Sequence, residues 1–323
     1  MRLADRRDES TVRTAGPSGA AAMVAVVIAF GACSLLGCSR TELESAPRGE
    51  PAEVATSPGE DPGAGSIDFL IESKPVKLLT ADELMKNLKP LRLEVFEPYE
   101  RANAVFTAVP LERVLDEAYG PSWRTKEAIL FGCRDGYEPT IPVRRILEHQ
   151  AFLAIDRPGD VGFTILKDEE GTRRRIDLRP FYVIWENLDN ARVRTEGDYG
   201  WPYQVIRIDL VSFRSRFQEM APPAHSSSQV QAGFDAFVAH CSKCHAINGR
   251  GGAIGPELNY PANPTEYLKE EWLRKWIDDP TLMRIAPRMP PLNPDLPDRT
   301  RIIDEIVAYL GAMASHKIEP GAP

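Results

Sequence analysis

The sequence is poor in cysteine, with 5 in 323 residues, and their positions exclude two common uses of this residue. Only one close pair is present, Cys241 and Cys244, so no second pair completes a structural zinc tetrahedron. Cys33 and Cys38 belong to an apolar N-terminal segment, which leaves Cys133 by itself. Apart from the close pair, Cys133 therefore has no second cysteine outside the N-terminal segment with which to form a disulfide.

An excess of positive charge is also absent. The chain has 39 Lys and Arg against 47 Asp and Glu, a net charge of −8. Nonspecific binding to nucleic acid needs clustered basic residues, so we expect no nucleic-acid partner. The composition, 43% hydrophobic and 27% charged, is ordinary for a globular protein, and the length suits two domains.

The N-terminal segment has the pattern of an export signal. Basic residues, Arg6, Arg7 and Arg13, precede an apolar run over residues 20–36. The run leads into Leu35-Leu36-Gly37-Cys38, which resembles the bacterial lipobox Leu-x-Gly-Cys. The resemblance implies a lipoprotein signal peptide over 1–38, with Cys38 as the lipid-modified first residue that anchors the chain to a membrane. The alternative is an uncleaved transmembrane helix, and both interpretations place the rest of the chain outside the cytoplasm.

Two compositional breaks organise the remainder. Residues 39–65 are rich in Pro, Glu, Ala, Gly and Ser without an aromatic residue, which predicts a disordered tether. Residues 219–228 contain two prolines and three consecutive serines, which predicts a linker. The expected order is therefore signal 1–38, tether 39–65, α+β domain 66–218, linker 219–228, helical domain 229–316 and tail 317–323.

The first domain mixes strand and helix patterns. Apolar and polar residues alternate over 91–96 and 206–210, as in half-buried strands. Thr80 to Glu83 form a capping-box pattern that predicts a helix through Leu88, and Pro110 at a first helical position predicts a second helix, ending at Gly120. Further strand candidates are 129–131, 152–155 and 181–185. These patterns predict an α+β domain.

The second domain reads as helical. Apolar stripes are predicted over 230–238, over 267–276 and along a last helix from about Arg301, with Gly311 near its end. Helices this short in about 90 residues enclose too little core to be stable alone, and an apolar prosthetic group would supply the missing centre.

The pentapeptide Cys241-Ser242-Lys243-Cys244-His245 has the C-x-x-C-H spacing of a c-type haem attachment site. From this composition, chance would place such a pattern in roughly one chain in a thousand. Each thiol can form a thioether with one haem vinyl group, and His245 can then ligate the iron. The motif therefore predicts one covalently bound haem c.

Residues 229–316 resemble the monohaem class I cytochrome c domain, an all-α fold. The resemblance rests on Gly233 and Phe237 before the motif, on the Gly-Pro-x-Leu loop at 255–258, and on Tyr309 and Leu310 in the last helix. It implies that the last helix packs across the first, and that Gly233 allows the two to cross closely. It implies that the carbonyl oxygen of Pro256 accepts a hydrogen bond from Nδ1 of His245 and so orients the ring.

The resemblance also implies the second axial ligand. Arg288-Met289-Pro290-Pro291 matches the family's Met-Pro loop, which makes Met289 the expected sixth ligand of the iron. Met283 is the nearest rival. A thioether is a soft, neutral ligand, so His/Met ligation raises the reduction potential and suits an electron carrier.

Residues 91–210 resemble part of the sulfite oxidase type of molybdopterin-binding oxidoreductase domain. The resemblance rests on 106–111, Cys133 to Tyr137, a predicted helix around 143–147, and 152–155. It implies the fold and not the chemistry, because the segment with the family's metal-binding cysteine is missing and Cys133 does not match its position. We therefore expect no molybdopterin and assign no catalytic residue.

The leading hypothesis is a membrane-anchored periplasmic c-type cytochrome that carries single electrons between periplasmic donor and acceptor proteins. One alternative is a cytochrome subunit of an oxidoreductase whose α+β domain oxidises a small substrate. Another is a haem-based sensor. Metal content and substrate-driven haem reduction distinguish the first two, and carbon monoxide binding to the reduced protein indicates the third.

Overall fold

The structure, a computed structural model, describes residues 65–159, 162–169, 172–190, 193–194, 200–294 and 296–320. The predicted signal peptide 1–38, with Cys38, and the predicted tether up to residue 64 lie outside the described residues. Within the described ranges, none of the helices has both the length and the apolar character needed to cross a membrane.

The N-terminal region is built on two larger sheets. The first has the strand order β2-β1-β11-β5-β6, in which β1 and β11 are parallel and the other neighbours antiparallel. Its strands are β1 (Ser66–Ile71), β2 (Lys74–Thr80), β5 (Ala128–Cys133), β6 (Thr140–Pro142) and β11 (Val205–Val211).

The second sheet is antiparallel and has the order β10-β7-β4-β3. Its strands are β3 (Leu91–Glu97), β4 (Ala102–Pro110), β7 (Ala151–Asp156) and β10 (Tyr182–Trp185). A separate hairpin pairs β8 (Thr164–Glu169) with β9 (Thr172–Asp177). Apolar side chains from both larger sheets, among them Phe69, Phe131, Phe106 and Leu153, share one buried core.

Short helices cover this core. They are α1 (Ala81–Leu88), α2 (Leu111–Tyr119), a 3-10 helix (Pro121–Thr125) and α3 (Val143–Glu148). A further short helix, α4 (Phe213–Phe217), instead buries Phe217 in the C-terminal core. Thr80 and Glu83 form the predicted capping box, and the helix ends at Leu88 as expected. Pro110 differs from its prediction: it ends β4 and caps α2 instead of occupying the first helical position, because its φ of −53° is combined with an extended ψ of 124°.

The C-terminal region is mostly helical. Its helices are α5 (Ser228–His240), α6 (Pro264–Tyr267), α7 (Glu270–Asp278), a 3-10 helix (Pro280–Leu282) and α8 (Arg299–Met313), with one small strand pair, β12 (Ala246–Ile247) and β13 (Arg250–Gly251). Helices α5 and α8 cross closely at Gly233, where an added Cβ would lie 1.9 Å from the carbonyl oxygen of Glu305. The predicted close crossing at this glycine is confirmed. Tyr309 lies at the crossing, with its ring centroid 5.4 Å from that of Phe237.

The predicted apolar stripe over 267–276 is only partly correct. The chain breaks between α6 and α7, so residues on either side of the break do not share one helical face. Leu273 is buried, as expected, together with Ile277. Tyr267 is 62% exposed and Trp272 is 42% exposed, so neither is a core residue of the described chain.

The described residues, all of which lie between 65 and 320, belong to one compact unit. Met220, inside the predicted linker, is fully buried in the C-terminal core, and its carbonyl oxygen accepts a 2.6 Å hydrogen bond from the hydroxyl of Tyr309. The division of this unit at 219–228 stays a prediction.

Candidate functional site

The five residues of the Cys-x-x-Cys-His motif follow directly on α5. The amides of Cys241 and Ser242 donate to the carbonyl of Phe237, at 2.8 and 2.9 Å, which ends the helix in a tight turn. The amides of Cys244 and His245 then donate to the carbonyl of Cys241, at 3.0 and 2.9 Å. One turn of chain therefore presents both thiols and the imidazole.

The imidazole of His245 is held in one orientation. Its Nδ1 lies 2.8 Å from the carbonyl oxygen of Pro256. A carbonyl oxygen can only accept, so Nδ1 carries the proton and Nε2 carries the lone pair. In the described part of the chain, Nε2 makes no hydrogen bond. The ring therefore offers an unused, oriented nitrogen donor.

Close packing reinforces this orientation. A Cβ added to Gly255 would lie 2.3 Å from Cε1 of His245, so only glycine lets the loop approach the ring this closely. Burial lowers the pKa of the imidazole below its usual value, although the bond to Pro256 opposes the shift. The neutral ring, which is the form that ligates a metal, is favoured.

The two thiols are free and partly buried. Burial raises the pKa of Cys241 to about 12 and also raises the pKa of Cys244, where Lys243 opposes the shift. The thiolates that zinc or an iron–sulfur cluster requires are therefore disfavoured. The described residues also contain no group of three or more His, Cys, Asp and Glu side chains able to hold a bare metal ion.

Glu257 fixes the loop that carries Pro256, a role that no pattern in the sequence indicates. Its carboxylate accepts hydrogen bonds from four backbone amides, at 2.8 to 3.1 Å: those of Asn248, Gly249, Asn259 and Tyr260. One side chain thus ties the 255–260 loop to the turn after the motif. Each bond is charge-assisted and therefore stronger than a neutral one.

Buried asparagines extend this framework. Asn263 donates to the side chain of Asn259 at 2.9 Å, and Asn259 donates to that of Asn248 at 2.8 Å. All three are at most 5% exposed. The first and last of them reach main-chain carbonyls of Leu310 and His316, which connects the loops around the motif to the end of α8. No local pattern signals this ladder, since its members meet only in the fold.

Met289 lies in the irregular segment between the second 3-10 helix and α8. It is half-buried, and it makes no hydrogen bond to the motif in the described chain. The segment is held at Leu292, whose amide donates to Ile277 at 3.3 Å and whose carbonyl accepts from Arg299 at 3.0 Å. The rival, Met283, is 36% exposed.

The residues fit a covalently held, apolar prosthetic group. The motif supplies two unpaired thiols and one oriented nitrogen on the same turn. Large apolar side chains of this region are exposed in the described structure: Ile254 at 46%, Leu282 at 71% and Ile285 at 95%. An apolar group bound near the motif would give such side chains a partner.

Cys133 lies in a different environment from the two cysteines of the motif. It is 6% exposed at the end of β5, and burial raises the pKa of its thiol well above the usual value. The tyrosine of the Asp135-Gly136-Tyr137 turn packs against the core of the N-terminal region.

A helical region with a Cys-x-x-Cys-His turn, an oriented histidine and a close crossing of its first and last helices defines a haem-binding domain of the c type. Residues 230–313 match the family described as Cytochrome c, so this part of the chain is a cytochrome c domain. No curated protein matches the chain. The domain implies covalently bound haem c, haem-based electron carrying and a place outside the cytoplasm. The sulfite oxidase resemblance and the lipoprotein signal stay predictions.

Proposed function

We propose that this chain is a membrane-anchored periplasmic c-type cytochrome that carries single electrons between protein partners, with His245 and Met289 as the axial ligands of one haem. The observation that carries the proposal is the 2.8 Å bond from Nδ1 of His245 to Pro256, because it leaves Nε2 free beside two unpaired thiols. The haem supplies a one-electron couple of the iron. The protein supplies the attachment, the orientation of the imidazole and the second ligand.

Each residue of the site has a distinct role in this proposal. Cys241 and Cys244 hold the group covalently. Pro256 fixes the tautomer and the rotation of the His245 ring, which raises the basicity of its free nitrogen. Met289 supplies a soft sulfur donor, and prolines at 287 and 290 restrict the backbone around it. A carrier needs such rigid ligation, because small changes in geometry between oxidation states favour rapid electron exchange.

The N-terminal segment supports anchoring at the membrane. Cys38 follows the apolar run at the position of the lipid-bearing cysteine. Fatty-acid analysis of the purified protein, compared with a Cys38→Ala variant, tests this part. Absence of lipid from the unaltered protein would exclude the lipoprotein interpretation and leave an uncleaved helix.

The haem itself is tested by a pyridine haemochrome spectrum and acid–acetone extraction, after expression in a host that attaches c-type haem. We expect one haem per chain, and colour that stays with the protein on extraction. A colourless protein, or colour that is extracted, would refute the proposal.

Axial ligation is tested by Met289→Ala, with Met283→Ala as the matched control. We expect Met289→Ala to abolish the sulfur-to-iron charge-transfer band of the oxidised protein and to allow carbon monoxide binding to the reduced protein. Met283→Ala should retain the band and the closed site. The opposite pattern would make Met283 the ligand. Ready binding of carbon monoxide by the unaltered protein would favour the haem-based sensor.

Cys133 supports a carrier over an enzyme with molybdenum chemistry. Its thiol is buried and its pKa is raised by that burial, so the thiolate that would bind the metal is disfavoured. Metal analysis is the test: stoichiometric molybdenum would overturn this view and favour the oxidoreductase subunit.

A further inference from the structure

A turn of the N-terminal region lies against the haem-attachment segment. The turn is formed by residues 135–138, between β5 and β6, and the attachment loop is defined here as residues 241–255. The amide of Glu138 donates to the carbonyl of Lys243 at 2.9 Å, and the amide of Ala253 donates to the carbonyl of Gly136 at 2.8 Å. The turn is therefore bonded to both limbs of the loop, directly before Cys244 and shortly before Gly255.

The contact requires glycine at position 136. Gly136 has φ of +88°, and an added Cβ would lie 3.1 Å from the Cβ of Ala253. That distance is tighter than ordinary van der Waals contact, so a side chain here would press the turn and the loop apart. Close approach of the two backbones is thus built into the turn.

The turn is also fixed to the N-terminal region. Tyr137 packs against its core, and the amide of this residue donates to the carboxylate of Asp135 at 2.9 Å. The carboxylate of Glu138 accepts from Arg207 on β11 at 2.5 Å and from Arg216 on α4 at 2.9 Å. Arg216 is only 8% exposed. The turn is a rigid projection of the N-terminal region and not a free loop.

We propose that the 135–138 turn is a cover that the N-terminal region places on the attachment loop, and that this cover raises the reduction potential of the haem by limiting the access of water at Cys244. This inference rests on the proposed function. The physical reason is that the oxidised group carries one more positive charge than the reduced group. Water stabilises that charge, so excluding water favours reduction. Gly136 and Glu138 are positioning residues in this role.

The test compares Gly136→Ala with Gly120→Ala in the full chain. Gly120 also has a positive φ, of +65°, but nothing lies within 4 Å of its added Cβ, so this control imposes backbone strain without a clash. Two quantities are measured: deuterium exchange of peptides that cover 243–255, and the midpoint potential by spectroelectrochemistry. The first of these does not depend on haem chemistry.

We expect Gly136→Ala to speed deuterium exchange over 243–255. We also expect it to shift the equilibrium between reduced and oxidised haem at least about threefold toward the oxidised form. A tenfold shift corresponds to a change of about 59 mV in the midpoint potential. Gly120→Ala should match the unaltered protein in both measurements. Faster exchange with an unchanged potential would overturn the proposal, and so would an equal shift in the control.

A second variant covers the case in which the contact accommodates the single methyl group of Gly136→Ala. Gly136→Ala combined with Ala253→Val enlarges both sides of the contact. If exchange over 243–255 is unchanged even in this protein, the turn does not cover the loop and the proposal is wrong. If the pyridine haemochrome shows no covalent haem, the proposed function fails, while deuterium exchange still reports on the contact by itself.

Discussion

Replacing Glu257 by glutamine tests the framework that positions His245. The Glu257 carboxylate accepts from four backbone amides, three at Oε1 and the amide of Gly249 at Oε2, all between 2.8 and 3.1 Å. In Glu257→Gln the amide oxygen replaces Oε1, so three charge-assisted bonds become neutral ones. The amide NH2 group then faces the amide of Gly249, which loses its acceptor.

The expected cost follows from these changes. A hydrogen bond to a charged group contributes about 1.5–3 kcal/mol and a neutral one about 0.5–1.5 kcal/mol. Taken at face value, three weakened bonds and one lost bond would sum to about 4–7 kcal/mol. Because Glu257 is only partly buried, water compensates for part of this, and we expect the free energy of unfolding to fall by about 2–4 kcal/mol. The orientation of His245 also loosens, because Pro256 lies directly before the substituted residue.

The assay is urea unfolding of the haem-containing protein, followed by Soret absorbance and by circular dichroism. Glu271→Gln is the matched control, because Glu271 is exposed in the first turn of α7. The Glu271→Gln substitution should change the free energy of unfolding by no more than about 0.5 kcal/mol. A Glu257→Gln protein as stable as this control would refute the reasoning about the carboxylate.

Two further predictions concern the helix crossing and a buried acid. Gly233→Ala should lower the free energy of unfolding by about 3 kcal/mol or more, because its Cβ would fall 1.9 Å from the carbonyl oxygen of Glu305. Gly311→Ala, in the facing helix with nothing within 4 Å, should instead raise it by up to about 1 kcal/mol. Equal effects of the two in thermal or urea unfolding would contradict the close crossing. Burial raises the pKa of Glu97, which also accepts a hydrogen bond from Tyr182 at 2.7 Å. The native state therefore binds this proton more tightly than the unfolded state, so its contribution to stability is full below the ordinary pKa of glutamate and declines as the pH rises through the raised value. Glu97→Gln should flatten that decline in urea unfolding as the pH is raised above the ordinary pKa of glutamate, whereas the exposed Glu186→Gln should not. A decline that persists in Glu97→Gln would assign it to another group.

Local patterns in the sequence were sufficient for several elements of the fold. The capping box at Thr80 and Glu83 and the strands over 91–97 and 205–211 carry signals within a few residues of themselves. The close crossing at Gly233 was expected from the family resemblance alone. Two predictions were wrong in detail: the start of α2 at Pro110 and the single apolar stripe over 267–276. In the structure, β4 continues to Pro110, and a break separates α6 from α7. Neither feature changes the spacing of apolar residues along the chain, so the sequence pattern did not indicate it.

The candidate site divides in the same way. The spacing of Cys241, Cys244 and His245 identifies the motif because the three residues act from one turn of chain. The roles of Glu257 and the asparagine ladder were not visible, because they depend on partners in other segments of the chain. Glu257 binds the amides of Asn248 and Gly249, and the ladder binds the carbonyls of Leu310 and His316. A carboxylate that accepts four amides has no distinctive sequence pattern.

By itself, the sequence was sufficient to recognise the attachment motif and to distinguish a mixed α+β region from a helical one. It also predicts the export signal. Only the tertiary structure decided that the turn at 135–138 meets the attachment loop, since that contact joins residues more than one hundred positions apart. The physical reason is that hydrogen bonds between backbone groups are independent of residue type. A pattern of side chains therefore cannot specify which distant carbonyl an amide will find.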